Sequence, residues 1–394
     1  MRNRDNQDSF LHASFKVPFF SPLITNSDKK AVRDALGSTL LTDGPKLREF
    51  ELAFSKFTGA RYTVGVSNAT AALCLSLRAC GIGRGDEVIV PDMTFVATAN
   101  AVIQTGATPV LADIDKEDMN ISISSINNNI TNRTKAILPV HFAGRVCKMK
   151  EMVKMAKVNN LMIIEDCAHA IGARLGNKHV GTFGDTGCFS FYPTKNITTI
   201  EGGMVITNSR KIAEYVKVAR NHGLTKSLIQ RYSHGKPWDY DVTEPGYNFR
   251  LDEIRSSLGL SQLKRIQKLN SMRKRAYDYY NAKLSKINGV ITPQLPNKGE
   301  SAYHLYMVRI QNQYGISRDE LFKKLLKRGV STSVHYKPLH QFTAFRKLKN
   351  PARDLRNTIE LYSEIISLPF YPNISKREQD LVIKYIMQFG SSNK

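Results

Sequence analysis

The chain has 394 residues, of which 42% are hydrophobic, and this supports a large core that we expect to divide into two subdomains. Its formal net charge of +23 favours anionic partners such as nucleic acid or a phosphorylated small molecule, but no zinc-finger spacing or RNP-type aromatic motif supports a nucleic-acid binder. No apolar run reaches the length of a membrane span, the N-terminus lacks the pattern of a signal peptide, and five scattered cysteines without a CxxC pair argue against a structural zinc site, so we expect a cytoplasmic protein with no metal and no membrane insertion.

The first half of the chain alternates short apolar runs with helix-like segments. Runs typical of buried strands are YTVGVS, EVIVP, TPVLADI, KAILPVH and LMIIED. The segments ATAALCLSLRAC, FVATANAVIQTG and MKEMVKMAKVNN between them favour helices, so the pattern predicts crossover connections and a mostly parallel sheet. The runs CFSFY and GMVIT lie too close together for a helix between them. We expect them to form a hairpin-like pair at the end of the sheet, with Lys195 in the connection.

The pattern changes beyond about Gly246. Residues 251–284 carry one long helical pattern, YHLYMVRI and GVSTSVHY are strand candidates, and RDELFKKLLKRG and KREQDLVIKYIMQF favour helices. We therefore expect residues 1–250 to form a large α/β domain with an N-terminal segment, and residues 251–394 to form a smaller α+β domain.

Three features of the first half could carry chemistry. Asp166 ends an apolar run, where open α/β sheets place ligand groups, although a helix-capping Asp would give the same pattern. Residues 67–70 lie between a strand and a helix start, which suits a phosphate or ordinary helix capping. Lys195 follows an apolar run, where burial would make its amine nucleophilic, unless it is an ordinary surface lysine. Together, a phosphate cradle, a carboxylate and a lysine are what pyridoxal 5′-phosphate requires.

The motifs resemble those of the DegT/DnrJ/EryC1/StrS family of nucleotide-sugar aminotransferases, from about Pro18 to the C-terminus. They include SNATAALCLSL, IIEDCAHAIGA, SFYPTKNITTIEGGMVITN, PGYNFRLDEI and VHYKPLH, in this order. The resemblance implies the fold of aspartate aminotransferase, which is fold type I of the pyridoxal phosphate-dependent transferases. Its large domain would hold a mostly parallel seven-stranded sheet.

The resemblance also implies a role for each matched residue of the cofactor site. Lys195 would hold the cofactor as a Schiff base and shuttle protons, Asp166 would pair with the pyridine nitrogen, and Phe95 would stack on the ring. The other residues expected at the cofactor are His169 beside the ring, Asn68, Ala69 and Thr70 in the phosphate-binding turn, Ser190 on the phosphate, Arg250, and Asn248 from the partner subunit. Taken alone, Phe95 is typical of a core residue, His169 of a half-buried one, and Arg250 beside Asp252 of a surface ion pair.

The same resemblance indicates where a partner subunit and a sugar substrate would bind. In relatives the segment with Asn248 and Arg250 crosses to the neighbouring site, which implies a homodimer with two shared active sites. The residues expected near the sugar nucleotide are Thr42, Lys46, Tyr192, His335, Tyr336 and His340. The stretch VHYKPLH would otherwise be an exposed polar loop, and Tyr192 replaces a histidine that some relatives carry.

The implied activity is that of an aminotransferase of the EC 2.6.1 type, in amino sugar and polysaccharide biosynthesis. It would move an amino group from L-glutamate onto C4 of a nucleotide-linked 4-keto-6-deoxy sugar, with pyridoxamine 5′-phosphate as the intermediate form of the cofactor. The sequence ITTIEGGM after the lysine resembles members that act at C4. The alternatives are a C3-specific enzyme and a non-catalytic, cofactor-binding regulatory member of the fold. A related dehydratase would carry histidine at the position of Lys195.

Overall fold

The centre of the molecule is a seven-stranded β-sheet, seen in a computed structural model that describes residues 15–226, 228–233, 237–295, 299–346, 348 and 354–391. In chain order the strands are β1 (Tyr62–Val66), β2 (Glu87–Pro91), β3 (Thr108–Ala112), β4 (Thr134–Ile137), β5 (Met162–Asp166), β6 (Arg174–Leu175), β7 (Lys178–His179), β8 (Thr186–Ser190), β9 (Gly203–Thr207), β10 (Val290–Ile291), β11 (Tyr306–Ile310) and β12 (Ile365–Leu368). The α-helices are α1 (Asn26–Leu36), α2 (Pro45–Thr58), α3 (Ala69–Ala79), α4 (Ala97–Gln104), α5 (Ile123–Asn128), α6 (Met149–Val158), α7 (Arg210–Ala219), α8 (Leu228–Ser233), α9 (Glu253–Leu263), α10 (Ile266–Leu284), α11 (Arg318–Lys327), α12 (Arg356–Glu364) and α13 (Lys376–Ser391). Among these described helices, none combines the length and the apolar character that a bilayer crossing requires.

The central sheet has the strand order β1-β9-β8-β5-β4-β2-β3. Strands β3, β2, β4, β5 and β8 pair in parallel, whereas β9 is antiparallel to both of its neighbours. The mostly parallel sheet is therefore confirmed, and so is the adjacent antiparallel pair of β8 and β9. The expected position of that pair at the end of the sheet is wrong, because β1 pairs with β9 over five residues, from Tyr62 to Val66, and covers its outer edge.

Both faces of the sheet are covered by helices, which explains why its strands are near-continuous apolar runs. Side chains alternate between the faces along each strand. In β2, Val88 and Val90 pack with α3, α4 and α7, whereas Ile89 packs on the other face with α5 and α6. The carboxyl ends of the parallel strands meet at one edge of the sheet, so the residues that follow β2, β5 and β8 are brought together there.

The C-terminal part forms a second, smaller core around an antiparallel sheet of β10, β11 and β12. Buried tyrosines, among them Tyr280, Tyr306 and Tyr314, fill this core between α10, α11 and α13. Val17, from the N-terminal segment, also packs in it, and its N–H donates to the carbonyl of Gly329 (3.2 Å). The expected domain boundary between residues 250 and 251 stays a prediction, and the first 14 residues and the last three lie outside the described residues.

Two expectations for the C-terminal half are wrong in detail. The long helical pattern of residues 251–284 divides into α9 and α10, which are separated by Lys264 and Arg265. The run GVSTSVHY is not a strand: it makes one isolated bridge through Val330 and one through Ser333. The chain leaves the edge of β12 after Ser333, because the next residues turn toward the central sheet, where the N–H of Leu339 donates to the carbonyl of Asp92 (2.9 Å).

A buried carboxylate organises the loop that precedes β8. Glu165 on β5 accepts hydrogen bonds from the N–H groups of Gly181, Phe183 and Gly184, each at 2.7 Å. It also accepts from Nε2 of His141 (2.9 Å), whose Nδ1 accepts the N–H of Cys147 (3.1 Å). All four donors are fixed by backbone or by a buried ring, so the carboxylate holds β5 and this loop in one arrangement.

We predict that Glu165→Gln lowers the free energy of unfolding by about 2–5 kcal/mol, because an amide NH2 would face buried N–H donors that now have an acceptor. The control is Glu214→Gln, which removes an exposed ion pair with Arg210 and should change stability by about 0.5 kcal/mol or less. Thermal and urea unfolding of the two variants would measure the difference. Equal midpoints would contradict the role of Glu165.

Candidate active site

Lys195 lies in the connection between β8 and β9, as its position between two apolar runs indicated. Its N–H donates to the carbonyl of Tyr192 (2.9 Å), which fixes a tight turn after β8. The side chain is half-buried, and burial lowers the pKa of its ammonium group to about 8, against an opposing effect of the nearby Asp166 charge. A much larger share of its amine is therefore neutral near physiological pH than for an exposed lysine.

Asp166 ends β5 at the carboxyl edge of the sheet and is only 5% exposed. Its Oδ2 accepts from the hydroxyl of Thr98 (3.0 Å) and its Oδ1 accepts from the N–H of Ala168 (3.1 Å). Burial raises the pKa of this carboxyl, whereas these two hydrogen bonds and the charge of Lys195 act to lower it. In the described part of the chain, no cationic side chain lies within ion-pair distance of it. The site thus contains a buried carboxylate that a cationic group of a ligand could neutralise.

The turn between β1 and α3 has the geometry of an anion site. Asn68 caps α3, because its side-chain oxygen accepts the N–H of Ala71 (2.8 Å). The N–H groups of Ala69 and Thr70 open the helix, and no intrahelical acceptor precedes them. Gly203 starts β9 directly against this turn, since a Cβ atom there would lie 2.5 Å from the carbonyl oxygen of Asn68. Ser190 is half-buried at the end of β8 and is paired with Gly203 across the antiparallel β8–β9 ladder.

Phe95 is 56% exposed, which is unusual for a phenylalanine that precedes a buried helix. Its ring lies 5.8 Å from the ring of Tyr336, in a tilted arrangement. A pyridine ring can stack on an exposed aromatic face, and its nitrogen can pair with an uncompensated buried carboxylate. An aldehyde can react with a lysine of lowered pKa, and a phosphate can bind at a helix N-terminus. The residues of the chain therefore fit pyridoxal phosphate.

His169 joins the C-terminal segment to the large domain. Its Nδ1 accepts the N–H of Ala143 (3.4 Å), so its neutral form carries the proton on Nε2, which lies 3.1 Å from the hydroxyl of Tyr336. Burial lowers the pKa of His169 well below the ordinary value and raises that of Tyr336, so both groups are neutral. The ring of His304 stacks on His169 at 4.4 Å.

The two histidines of VHYKPLH, His335 and His340, have different surroundings. Nδ1 of His335 lies 2.8 Å from the hydroxyl of Ser367, and burial lowers the pKa of His335 to about 3. Nδ1 of His340 lies 2.6 Å from the fully buried carboxylate of Asp92, a hydrogen bond that raises the pKa of His340. His340 thus binds the residue that follows β2, and this contact holds the segment against the large domain.

The remaining predicted residues lie on the surface of the chain. Tyr192 is 47% exposed in the β8–β9 connection. The backbone of Thr42 forms an isolated antiparallel β-bridge with Asp252, and the amine of Lys46 forms an ion pair with Glu49 (2.8 Å). Arg250 donates to the side chain of Asn221 (2.7 Å), and Asn248 is exposed. Apart from the hydrogen bond between the N–H of Lys195 and the carbonyl of Tyr192, no hydrogen bond or ion pair joins these residues to Lys195 in the described part of this chain. Their expected roles in a shared site stay predictions.

Residues 42–47 and 248–253 nevertheless form one unit. The buried carboxylate of Glu253 accepts the N–H groups of Gly44 (3.0 Å), Lys46 (2.7 Å) and Leu47 (3.1 Å) at the start of α2. The segments named for the substrate and for the partner subunit are therefore adjacent in space, although about 200 residues separate them along the chain.

Several site residues were missed by the sequence analysis. Thr98 binds Asp166, and Asn196, next to Lys195, accepts from Nδ1 of His304 (3.1 Å) through its side-chain oxygen. The motif YHLY contained His304 and could have pointed to it, whereas an ordinary threonine on α4 gives no signal. Arg273 was read only as part of a basic helix, but its side chain is buried beside Lys195 and Asn196.

Residues 22–387 match the DegT/DnrJ/EryC1/StrS aminotransferase family. The chain is 38% identical over 373 residues to the spore coat polysaccharide biosynthesis protein SpsC of Bacillus subtilis. This alignment covers 94% of this chain and 96% of SpsC. Helicobacter pylori PseC, an aminotransferase involved in the biosynthesis of pseudoaminic acid, superposes with a TM-score of 0.88 at 34% identity, over 95% of this chain and 99% of PseC. Spr1654 of Streptococcus pneumoniae, named as a sugar aminotransferase and solved in its PLP form, gives a TM-score of 0.87 at 31% identity, over 96% and 99%. These structures share the fold type I architecture.

In the cofactor-free protein we predict that the amine of Lys195 titrates with a midpoint at about pH 8. Acetylation of Lys195, followed by mass spectrometry across a pH series, would measure this midpoint. Asp166→Asn should move the midpoint of Lys195 lower, because the Asp166 charge raises that pKa. A midpoint near 10.5, or a rise in the variant, would contradict this prediction.

The His340–Asp92 contact predicts a second pH dependence. The folded-state pKa of His340 is raised above 6.5, so its stabilisation is complete below that pH and is lost as pH rises through the folded-state pKa. His340→Gln should therefore lower the thermal midpoint more at about pH 6 than at about pH 9. His222→Gln, at an exposed site, is the matched control. A pH-independent effect of His340→Gln would argue against an ion pair.

Proposed function

The chain belongs to the DegT/DnrJ/EryC1/StrS aminotransferase family, and we propose that it transfers an amino group from L-glutamate to C4 of a nucleotide-linked 4-keto-6-deoxy sugar. The product would be a 4-amino-4,6-dideoxy sugar. The observation that carries the proposal is the lysine of lowered pKa beside the buried carboxylate of Asp166, at the carboxyl edge of the sheet. Loss of the lysine would have favoured the non-catalytic alternative, and Lys195 is present.

We assign the cofactor site to residues between positions 68 and 250, one of them from the partner subunit. Lys195, Asp166, Phe95 and His169 would hold the ring. Asn68, Ala69, Thr70 and Ser190 would hold the phosphate, joined by Arg250 and by Asn248 of the partner subunit, in a homodimer with shared active sites. Bound pyridoxal phosphate supplies an aldehyde that carries the amino group and a ring that accepts electrons. The buried charge of Asp166 favours a protonated ring nitrogen, because a cation there would neutralise it.

Lys195 is the group that moves protons in this proposal. Its Nζ would take the proton from the α-carbon of the donor and return a proton to the sugar carbon that receives the amine. A pKa of about 8 suits both directions at neutral pH, because a general acid–base group works best with a pKa near the working pH. The neutral His169–Tyr336 pair would exclude water from the adjacent side of the site.

The sugar substrate is proposed from the family and from the residues around the site entrance. SpsC and PseC are named for the biosynthesis of a coat polysaccharide and of pseudoaminic acid, which supports a sugar as the amino acceptor. Tyr192 lies in the same connection as Lys195, and the VHYKPLH segment supplies His335, Tyr336 and His340. Thr42 and Lys46 would approach from the partner subunit. The diphosphate of the substrate would meet a chain whose formal net charge is +23.

The test supplies protein and pyridoxal phosphate with L-glutamate labelled in its amino nitrogen, together with UDP-, dTDP- or GDP-linked 4-keto-6-deoxy sugars. We expect the label in a nucleotide amino sugar, with the nitrogen on C4 by NMR. Lys195→Ala should lose at least about 100-fold in rate, whereas Lys157→Ala, at an exposed position, should match the wild type. Nitrogen on C3 would refute the regiochemistry, and no transfer from any donor would refute the aminotransferase proposal.

A further inference from the structure

Asn196, the residue that follows Lys195, has both polar atoms of its side chain engaged in hydrogen bonds. The residue is 4% exposed, and its Nδ2 donates to the carbonyl of Ala302 (2.6 Å) and to the side-chain oxygen of Asn270 (2.7 Å). A backbone carbonyl can only accept, so the contact with Ala302 fixes which end of the amide carries the nitrogen. The side-chain oxygen of Asn196 therefore faces Nδ1 of His304, at 3.1 Å.

The same contact sets the tautomer of His304. Because the side-chain oxygen of Asn196 can only accept, the proton of the imidazole lies on Nδ1. Burial lowers the pKa of His304 well below its ordinary value, and the charges of His169 and Lys195 lower it further, so the ring is neutral. This ring stacks on that of His169, with 4.4 Å between the ring centres. His304 thus contacts the histidine expected beside the cofactor and also binds the residue next to Lys195.

The groups that bind Asn196 are themselves held by hydrogen bonds to the backbone. Nδ2 of Asn270, on α10, donates to the carbonyl of Ile171 (3.1 Å). The N–H of His304 donates to the carbonyl of Ala143 (3.1 Å). Helix α10 and the segment that precedes β11 therefore hold the connection between β8 and β9 through one buried amide.

We propose that Asn196 and His304 are positioning residues for Lys195, and that the hydrogen bond between them holds its amine in place near Asp166. This inference rests on the proposed function, in which the amine of Lys195 moves protons. The side chain of Asn196 fixes the backbone after Lys195, and the bond from the Lys195 N–H to the carbonyl of Tyr192 (2.9 Å) fixes the turn before it. The amine then has less freedom to leave its position, and proton transfer depends steeply on such alignment.

The test separates the hydrogen bond of His304 from its ring. His304→Asn keeps an N–H donor near the position of Nδ1 and loses the ring, whereas His304→Phe keeps a ring and loses the donor. In the cofactor-free protein, acetylation of Lys195 across a pH series should give His304→Phe a midpoint about one pH unit above the wild type, because a less restrained amine is less buried. His304→Asn should shift the midpoint less. No shift in His304→Phe, or an equal or larger shift in His304→Asn, would overturn the proposal.

A second readout uses the holoenzyme. In Asn196→Ala, kcat should fall about 10- to 100-fold while the KM values for L-glutamate and the nucleotide sugar stay within about threefold, because alignment is lost and no substrate contact is. Asn177→Ala, at an exposed position, is the matched control and should keep the wild-type kcat. An unchanged kcat in Asn196→Ala, or a loss confined to KM, would refute the positioning role.

The two readouts distinguish this inference from the proposed function. If the wild-type protein transfers no amino group, the proposed function fails, while the titration of Lys195 still reports on His304 and Asn196. Should His304→Phe fail to fold, the Lys195 midpoint in Asn196→Ala decides, with a value equal to that of Asn177→Ala as the refuting result.

Discussion

Asp166 carries a buried carboxylate at the end of β5, and the arrangement of the whole site depends on where that strand ends. Parallel pairing of β5 with β4 and β8 fixes the position of the strand in the sheet. The hydroxyl of Thr98 fixes the orientation of the Asp166 side chain. The preceding residue, Glu165, points to the other face and binds the loop before β8 through three N–H groups. One strand thus sets the position of a charged group toward the site and of a structural anchor away from it. The same strand also helps to position Lys195, because β8 pairs with β5 and Lys195 lies in the connection that leaves β8.

The second requirement is that the two cores act on one site. Tyr336 and His340 come from the segment between β11 and β12 of the small sheet, yet they bind His169 and Asp92, which follow β5 and β2 of the large sheet. His304 and Arg273 approach from the same side beneath Lys195. Burial keeps His169, His304 and His335 neutral, so the charges in this region are concentrated on Lys195, Asp166 and Arg273.

Much of this could be predicted from local pattern. Five apolar runs separated by helix-length segments indicated a parallel sheet, because parallel strands need crossovers. Lys195, Asp166 and residues 68–70 were identified because each lies where a strand ends or a helix starts. Errors arose where a pattern had two readings: GVSTSVHY has strand propensity, but it turns to reach Asp92, and residues 251–284 are helical in period, but break at Lys264 and Arg265.

The sequence by itself determined the class of fold and the family resemblance, and it pointed to the candidate residues of the site, since these depend on periodicity and on short motifs along one segment. Only the tertiary structure decided that β1 covers β9, that His340 binds Asp92 across 248 residues, and that Glu253 binds the start of α2. It also decided that Arg273 is unpaired and not one more surface charge of a basic helix. Burial and the identity of a long-range partner depend on how distant segments pack, and a single sequence does not carry that information locally.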